Sequence, residues 1–451
     1  MAYQETTTTG YGTRLGNSFK GILTGLIMIV LGTCLLWWNE GRAVKQSDAN
    51  EGALEQTIEV ADISTVNAEY NGKMIHASGE ARTEEMLSDR LFGINENAFK
   101  ISRDVEYYQW IEKTEKKTEE HLGGSETTTT TYYYEKGWTD SPVQSDKFKE
   151  AGHNNFVLAR IESKDLIAQN ASFGAYQLPQ NFIAQIGGSE AYNVNLSEDK
   201  MDEFEKSVEK CLKQQGIQEE GKEVTENTTV NDTTVNDTTV KSIADSSNIS
   251  VSEVDKPTIK KEETEYKYVT VDGNVVYLGQ DPNNPRVGDV KITFRISRQP
   301  QTVTVWADVK GNTFCIHTEK NGYTVGGLTT GTSTLQESFQ QEESANTAMA
   351  WIFRVIGVIL VFLGFKGLFG ILVTLLKVVP FLANIANVGV NIVCGLLAGI
   401  WSLIIIALAW IFYRPVLAII LLLCGIALTF FLIKRTKEKK SIANENFSNN
   451  K

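Results

Sequence analysis

The chain has 451 residues, a formal net charge of −12 and 42% hydrophobic residues. That length leaves room for a membrane bundle beside one large or two small soluble domains, since single cores rarely grow beyond about 250–300 residues. The acidic balance argues against a nucleic-acid partner. The five cysteines form no disulfide framework, because Cys34, Cys394 and Cys424 fall in apolar stretches. Cys211 and Cys315 remain, either as one disulfide or as two ordinary thiols.

Four apolar stretches divide the chain unevenly, at about 21–38, 349–372, 385–411 and 415–433. Each approaches the roughly 20 apolar residues with which an α-helix crosses about 30 Å of hydrocarbon. We therefore predict a membrane protein with four transmembrane α-helices, one N-terminal and three in a C-terminal bundle over 349–433. The mostly polar residues 39–348 must then fold outside the bilayer as a large extracytoplasmic domain.

Residues next to the apolar stretches predict the orientation of the helices. Trp37 and Trp38 form an interfacial belt at the end of the first stretch, and no small-residue cleavage site follows, so we predict an uncleaved signal anchor. The basic tail at 434–451 follows the last stretch, and such clusters stay in the cytoplasm. Four spans then place the N-terminal tail, residues 1–20, in the cytoplasm too. Because basic tails attract anionic headgroups, membrane lipids are predicted partners.

Apolar and polar residues alternate along the soluble segment and predict strands there. Alternation over 103–111, followed by a turn and the Thr- and Tyr-rich run 127–134, predicts a long β-hairpin. A second alternating pattern over 290–318 predicts an antiparallel meander. A helix is predicted to begin after Ser197, which suits an N-cap, and to end at Gly216. The domain is therefore predicted to be α+β.

Residues 217–262 interrupt this pattern with a five-residue repeat that has almost no bulky side chains. Such a segment cannot bury a core, so we predict a disordered Thr/Asn-rich insertion that divides the domain into two lobes. Several of its asparagines lie in N-x-S/T sequons. These are glycan acceptors in the secretory pathway of a eukaryote and mere composition in a prokaryote.

Charged residues collect at the predicted extracytoplasmic ends of the helices: Glu40, Arg42, Arg354 and Arg414. Pairing of Glu40 with Arg354 or Arg414 would lock the first helix against the C-terminal three, and this ion pairing is our hypothesis for that membrane face. The alternative is that each charge extends separately into the headgroups.

The third span carries amide and small residues at helical spacing. Asn384, Asn387 and Asn391 recur at i, i+3 and i+7, and Gly395 and Gly399 form a G-x-x-x-G pattern. Such residues favour close contact between helices, so we predict that they pack against a neighbouring helix. A transport pathway is the alternative, although no membrane-buried acid completes a proton relay.

One strand of the predicted hairpin presents Glu106, Tyr108, Trp110 and Glu112 on the face opposite its apolar side. Exposed Tyr and Trp are enriched at protein interfaces, so this face is a candidate partner surface. The alternative is that another element of the same chain covers it.

Residue types that carry catalysis do not cluster. His76, His121, His153 and His317 are scattered, with no H-E-x-x-H pattern and no Cys/His spacing that suits a metal. The sequence contains no phosphate-cradling glycine loop or nucleophile elbow. We therefore predict that the protein is not an enzyme and has no catalytic residue, no metal and no cofactor.

Several separated motifs occur in order along nearly the whole chain: Asn39-Glu40-Gly41-Arg42-Ala43, Leu87-Ser88-Asp89, Phe92-Gly93, the string from Arg103 to Glu112, Trp138, Phe148, Gly152-His153-Asn154, Gly288-Asp289 and Phe412-Tyr413-Arg414-Pro415. Together they resemble the transmembrane protein 43 family, also called LUMA. The chain departs from the family pattern at Asn155, where proline is usual, and in its Thr/Asn-rich insertion.

The resemblance implies a multi-pass endomembrane protein, found in animals at the endoplasmic reticulum and inner nuclear membrane with the lamina and lamina-binding membrane proteins. It implies a role in membrane organisation and scaffolding without enzymatic activity. Prokaryotic relatives imply instead a cytoplasmic membrane location with a periplasmic or extracellular domain. We therefore predict a scaffold that binds protein partners or itself. The alternative is a membrane sensor or transporter-like protein with a ligand-binding extracytoplasmic domain.

Overall fold

The computed structural model describes residues 3–216, 266–376, 380–416, 419–420 and 423, and for 380–387 it describes the backbone alone. The predicted insertion at 217–262, nearly all of the predicted fourth helix at 415–433 and the basic tail at 434–451 lie outside this part of the chain. Within it, a β-rich domain is flanked by one N-terminal and two C-terminal apolar helices.

The helices of the described residues are α1 (Tyr11–Gln56), α2 (Gln180–Ile183), α3 (Glu198–Gln214), α4 (Leu335–Leu376) and α5 (Pro380–Tyr413). Of these, α1, α4 and the 388–413 part of α5 are long and apolar enough to cross a membrane. They contain the predicted spans at 21–38 and 349–372 and most of the span at 385–411. With its 46 residues, α1 is about 69 Å long, more than twice the hydrocarbon thickness.

The strands of the first sheet are β1 (Tyr3–Thr9), β4 (Met86–Asp89), β5 (Ile94–Glu120), β6 (Glu126–Thr139), β7 (Lys164–Ile167), β10 (Glu190–Ala191), β11 (Val269–Asp272), β12 (Val275–Leu278) and β13 (Val290–Arg298). The second sheet contains β2 (Ile58–Glu59), β3 (Met74–Arg82), β8 (Ala171–Phe173), β9 (Tyr176–Leu178), β14 (Gln301–Lys310), β15 (Thr313–Cys315) and β18 (Gly327–Thr330). A separate pair is formed by β16 (His317–Thr318) and β17 (Thr324–Val325).

Strand order in the first sheet is β1-β6-β5-β13-β12-β11, with β4 and β7 also on β5 and β10 on β13. The second sheet runs β18-β14-β15-β9-β8-β3-β2, and β14 also pairs with β3. Apolar side chains of β5 and β13 from the first sheet and of β3 and β14 from the second belong to one buried core, so the two sheets pack face to face. The helix α3 adds Phe204, whose ring stacks on Phe92 at 5.2 Å.

The long β-hairpin predicted from the alternating residues is confirmed. The strands β5 and β6 pair antiparallel from Tyr107 opposite Thr139 to Glu120 opposite Glu126. The predicted helix is confirmed as α3, where the Ser197 side chain accepts a hydrogen bond from the Lys200 amide. This cap satisfies one of the free amides of the first turn.

The predicted meander over 290–318 is wrong at its first connection. The strands β13 and β14 lie in different sheets, and only β14 and β15 pair as expected. Apolar residues alternate along both strands, apart from Trp306 on β14, and Ile292 and Val305 are fully buried. Alternation fixes which side of each strand faces the core but leaves its partner open, and here the two strands contribute to the core from opposite sides.

The predicted cytoplasmic tail at 1–20 is not separate from the domain in this structure. All seven residues of β1 pair antiparallel with β6, from Tyr3 opposite Tyr132 to Thr9 opposite Glu126. A bilayer cannot separate two paired strands. The prediction that places residues 1–20 across the membrane from residues 39–348 therefore does not describe the paired conformation.

Candidate functional site

The carboxylate of Glu40 joins three helices at the end of the apolar part of α1. Glu40 is only 2% exposed. Arg354 on α4 donates to it through Nε at 2.6 Å and through Nη2 at 2.8 Å, and Trp410 on α5 donates through Nε1 at 2.8 Å. A forked Arg–carboxylate pair is among the stronger charge-assisted contacts in proteins. We call Glu40, Arg354 and Trp410 the Glu40 junction.

Neighbouring polar groups extend the Glu40 junction along α1 and α4. The fully buried Asn39 donates through Nδ2 to the Ala350 carbonyl at 3.0 Å. Arg42 donates to Asn346 Oδ1 at 3.1 Å, and Asn346 donates back to the Ala43 carbonyl at 2.9 Å. These side chains bond to backbone or amide groups of the facing helix, so they fix the register of the two helices against each other.

The four charged residues predicted at this membrane face therefore have different surroundings. Glu40 and Arg354 form the ion pair, Arg42 binds Asn346, and Arg414 is exposed. The Arg414 amide donates to the Trp410 carbonyl at 2.7 Å. Of the two partners considered for Glu40, the structure places Arg354 beside it, and Arg414 has the exposure expected of a side chain that extends into the headgroups.

Beyond the membrane face, α1 and α4 continue as a pair into the soluble domain. Glu343 accepts hydrogen bonds from Ser47 at 3.0 Å and from Asn50 at 2.9 Å. The pair then docks on the sheets through a second buried cluster: Ala49, Ala53, Met74, Trp306, Val325 and Phe339. The domain is thus attached to the membrane helices by two continuous helices rather than by flexible linkers.

Within the apolar part, glycines bring α1 and α4 into backbone contact. A methyl group on Gly25 would lie 2.6 Å from the Gly364 carbonyl oxygen, and one on Gly367 would lie 2.7 Å from that of Gly21. Gly32 approaches the Gly357 carbonyl in the same way, at 3.0 Å. We call these six residues the glycine interface. Close approach of this kind is how small residues favour helix association in lipid.

The helix-packing residues predicted on α5 make no close helix contact that the described structure shows. A methyl group on Gly395 or Gly399 would have no neighbour within 4 Å. Asn391 has a buried Oδ1 with no hydrogen-bond partner in the described structure, and the side chains of Asn384 and Asn387 lie outside it. Packing through these five residues stays a prediction, whereas the glycine interface was not predicted.

At the opposite end of α1, the tip of the β5–β6 hairpin surrounds Arg14. This guanidinium is 5% exposed and lies 3.0 Å from Glu120 and 2.9 Å from Glu126. It also donates to the Gly124 carbonyl at 2.8 Å. One turn later, the hydroxyls of Ser18 and Thr374 on α4 hydrogen bond at 2.7 Å.

The predicted partner surface is half-buried and contacts other parts of the chain. Glu106 pairs with Lys291 at 2.6 Å, and the Tyr108 ring lies 5.2 Å from Trp138. Glu112 accepts from the Tyr134 hydroxyl at 2.7 Å.

Trp110 packs edge-on against His153 with ring centroids 4.7 Å apart. Its backbone is capped by Asn155. Asn155 Oδ1 accepts from the Trp110 amide at 2.8 Å, and Nδ2 donates to the Trp110 carbonyl at 2.9 Å. The Asn155 side chain thus makes the two hydrogen bonds that a neighbouring strand would make at the open edge of β5.

Titratable groups buried in the soluble domain are paired with polar neighbours. Asp289 accepts from the Tyr277 hydroxyl at 2.6 Å, and burial raises the pKa of both groups. Burial lowers the pKa of His76, whose Nε2 lies 3.2 Å from Ser338 Oγ. Cys211 and Cys315 are free thiols, so the disulfide alternative is wrong. The described residues contain no group of three or more His, Cys, Asp or Glu side chains placed to hold a metal ion.

Comparison with known proteins identifies the family. The model of the family described as Transmembrane protein 43 matches residues 107–218 and 204–415. The chain belongs to the transmembrane protein 43 family. Human Transmembrane protein 43 is 26% identical over 95% of this chain and 92% of its own length, and the rat protein is 27% identical over the same shares. The Drosophila melanogaster homolog is 28% identical over 89% and 91%. No solved structure matches the chain.

The first family-model match contains the paired part of the β5–β6 hairpin, and the second contains α4 and α5. The relatives cover nearly the full chain. Two residues of the Glu40 junction, Arg354 and Trp410, lie inside the matched segment at 204–415, while Glu40 lies before it. The family name describes a transmembrane protein and states no reaction.

Proposed function

We propose that this member of the transmembrane protein 43 family is a multi-pass membrane scaffold without enzymatic activity, which binds protein partners or further copies of itself through its soluble domain. The observation that carries the proposal is the continuous α1–α4 pair. It crosses the apolar region, passes the Glu40 junction and docks on the sheets without a break.

Rigid attachment supports a scaffold because it holds a binding surface at a fixed height. From Glu40 to the end of α1 at Gln56 the helix rises about 24 Å. Buried residues recur along that length of α1, from Glu40 to Ala53. A domain held in this way presents the same surface to neighbours in the same orientation, which suits membrane organisation.

Membrane lipids are the first proposed partner. Apolar side chains on the outer face of α1, including Leu23, Leu26 and Val30, are more than half exposed. Exposed apolar surface of this extent belongs in hydrocarbon. With relatives in human and fly, we favour the endoplasmic reticulum and inner nuclear membrane, cytoplasmic termini and partners at the lamina. In a prokaryote the domain would face the periplasm or exterior.

Proximity labelling and crosslinking mass spectrometry of the tagged full-length protein in its native membrane tests the scaffold. The test variant is Tyr108→Ala/Trp110→Ala, and the control is Leu122→Ala at the hairpin tip, where Leu122 is 82% exposed. Protein level and melting temperature are measured for each. Reproducible protein neighbours that the test variant loses, while it stays folded, support the scaffold. Lipid contacts alone, unchanged by the variant, would refute partner binding.

A ligand-responsive sensor is the second candidate, and one cleft favours it. The cleft has a volume of about 610 Å³ and lies where α4 begins, between His76, Ser78, Ser333 and Thr334. A ligand bound there would contact α4 directly and so act on the helix that carries Arg354. Screening small polar metabolites for a rise in melting temperature tests this function. A compound that stabilises the wild type but not His76→Gln supports it, and no stabilising compound counts against it.

A further inference from the structure

The two outer edges of the β5–β6 hairpin differ in chemistry. Beyond Glu112, β5 carries a run of exposed charged residues: Lys113, Glu115, Lys116, Lys117 and Glu119. Charged side chains along an edge discourage other strands from pairing with it. The outer edge of β6 is uncharged at 127–131, where all five residues are threonine. β-Branched residues favour strand pairing, so the β6 edge is suited to a partner strand and the β5 edge is not.

In the described structure, β1 occupies the β6 edge. Its Tyr3 ring packs on Tyr132 at 5.7 Å, and Glu5 binds the Tyr132 hydroxyl at 2.9 Å and Lys149 Nζ at 3.0 Å. These contacts show that the edge accepts an antiparallel strand of at least seven residues, since β1 has that length.

Pairing with β1 is incompatible with a transmembrane α1. Arg14 and Glu40 are separated by 26 positions, or about 39 Å of helix, which exceeds about 30 Å of hydrocarbon. At one end the hairpin is attached to the domain, where β5 pairs with β13, and at the other end its tip contacts Arg14. It would therefore pass through the same hydrocarbon as α1. Lipid-exposed sheet edges do not occur there and exposed charges such as Lys116 are costly there, so in the membrane β1 must leave β6.

We propose that, once α1 crosses the membrane, the β6 edge vacated by β1 pairs antiparallel with the β6 edge of a second copy of this chain. The proposal rests on the self-binding part of the proposed function and names its surface. A two-fold axis at Thr129 places Thr128 opposite Thr130 and Thr127 opposite Thr131. The edge is therefore complementary to itself, as an isologous interface requires, and no like charges oppose each other over these five residues.

Cysteine crosslinking of the full chain in native membranes tests this pairing. Directly opposite residues in antiparallel strands have Cα atoms about 4.5–5.5 Å apart, within reach of a disulfide. Thr129→Cys would lie opposite itself in the dimer. Thr6→Cys/Thr129→Cys reports β1, because Thr6 is opposite Thr129 in the described structure. Thr118→Cys on β5 is the matched control, and wild type controls for the native cysteines.

We expect mild oxidation to shift Thr129→Cys from monomer to covalent dimer, with Thr118→Cys and wild type staying monomeric. We expect no intrachain disulfide in Thr6→Cys/Thr129→Cys. An intrachain disulfide would overturn the proposal, because β1 would still cover the edge. A monomeric Thr129→Cys, or an adduct with a different protein, would overturn the second copy as occupant. If Thr129→Cys forms the covalent dimer but proximity labelling finds no other protein, this proposal stands and only the binding of other proteins is refuted.

Discussion

Replacement of Glu40 by glutamine keeps the size of the side chain and removes the charge that Arg354 and Trp410 bind. Truncating one member of a buried ion pair typically costs about 3–5 kcal/mol, because the other charge stays buried without its partner. Here the Arg354 side chain is 19% exposed, while Glu40 is 2% exposed. Since water reaches the guanidinium, we expect the lower end, about 3 kcal/mol in the free energy of unfolding, or roughly a hundredfold in the equilibrium.

The assay is denaturant unfolding of the full-length protein in lipid bicelles, followed by tryptophan fluorescence. Glu55→Gln is the matched control, because Glu55 is an exposed acid on the same helix. A double-mutant cycle with Arg354→Gln separates the pair from its surroundings. We expect a coupling energy between Glu40 and Arg354 of about 2 kcal/mol, near the top of the range for contacting residues.

Two results would refute the reasoning. If Glu40→Gln and Glu55→Gln differ by less than about 0.5 kcal/mol, the usual effect of a surface substitution, the Glu40 junction does not hold the helices together. If the cycle shows no coupling, the carboxylate acts through Trp410 or through hydration rather than through Arg354.

Three further predictions follow from the contacts of single residues. Gly25→Ala should destabilise the helix pair by about 1–3 kcal/mol because of overpacking, whereas Gly395→Ala should be nearly neutral; unfolding in bicelles measures both. Because burial lowers the pKa of His76, the unfolded state binds more protons, so stability should rise with pH between the folded pKa and about 6.5, and His76→Gln should flatten that slope in melting curves. Asn155→Ala should lower the free energy of unfolding by about 1–2 kcal/mol and speed hydrogen exchange at the Trp110 amide.

Each of these has an outcome that contradicts it. Equal effects of the Gly25 and Gly395 substitutions would mean that the glycine interface is not tight. If stability still rises with pH in His76→Gln, other titratable groups cause that rise. For Asn155, the control is Asn154→Ala, an exposed neighbour; equal exchange at Trp110 in both variants would show that the Asn155 amide does not protect the strand edge.

Local patterns allowed a large part of this structure to be predicted. The buried alternation of Ile292 and Phe294 and the cap of α3 at Ser197 depend on a few adjacent residues, and both were correct. The closeness of Glu40 and Arg354 followed from topology, since charges at the ends of apolar stretches on one face share a narrow layer. Which arginine would pair was open, because the rotation of each helix about its axis decides it.

Contacts between distant segments were harder to predict. Gly25 and Gly364 are indistinguishable in sequence from Gly395 and Gly399, because all lie in apolar helices. Only helix rotation places the first two at an interface. The separation of β13 and β14 into two sheets and the pairing of β1 with β6 likewise depend on partners that alternation does not specify.

The Glu40 junction also sets a time order for biogenesis. Arg354 lies 314 residues after Glu40, and Trp410 lies 370 residues after it. At about 5–20 residues per second, a ribosome needs roughly 15–60 s to reach Arg354 after it has made Glu40. For that interval neither donor of the Glu40 junction has been synthesised, so Glu40 has no partner from α4 or α5. The Glu40 junction can therefore form only late in synthesis, and a product that stops before residue 354 keeps a Glu40 carboxylate without either donor.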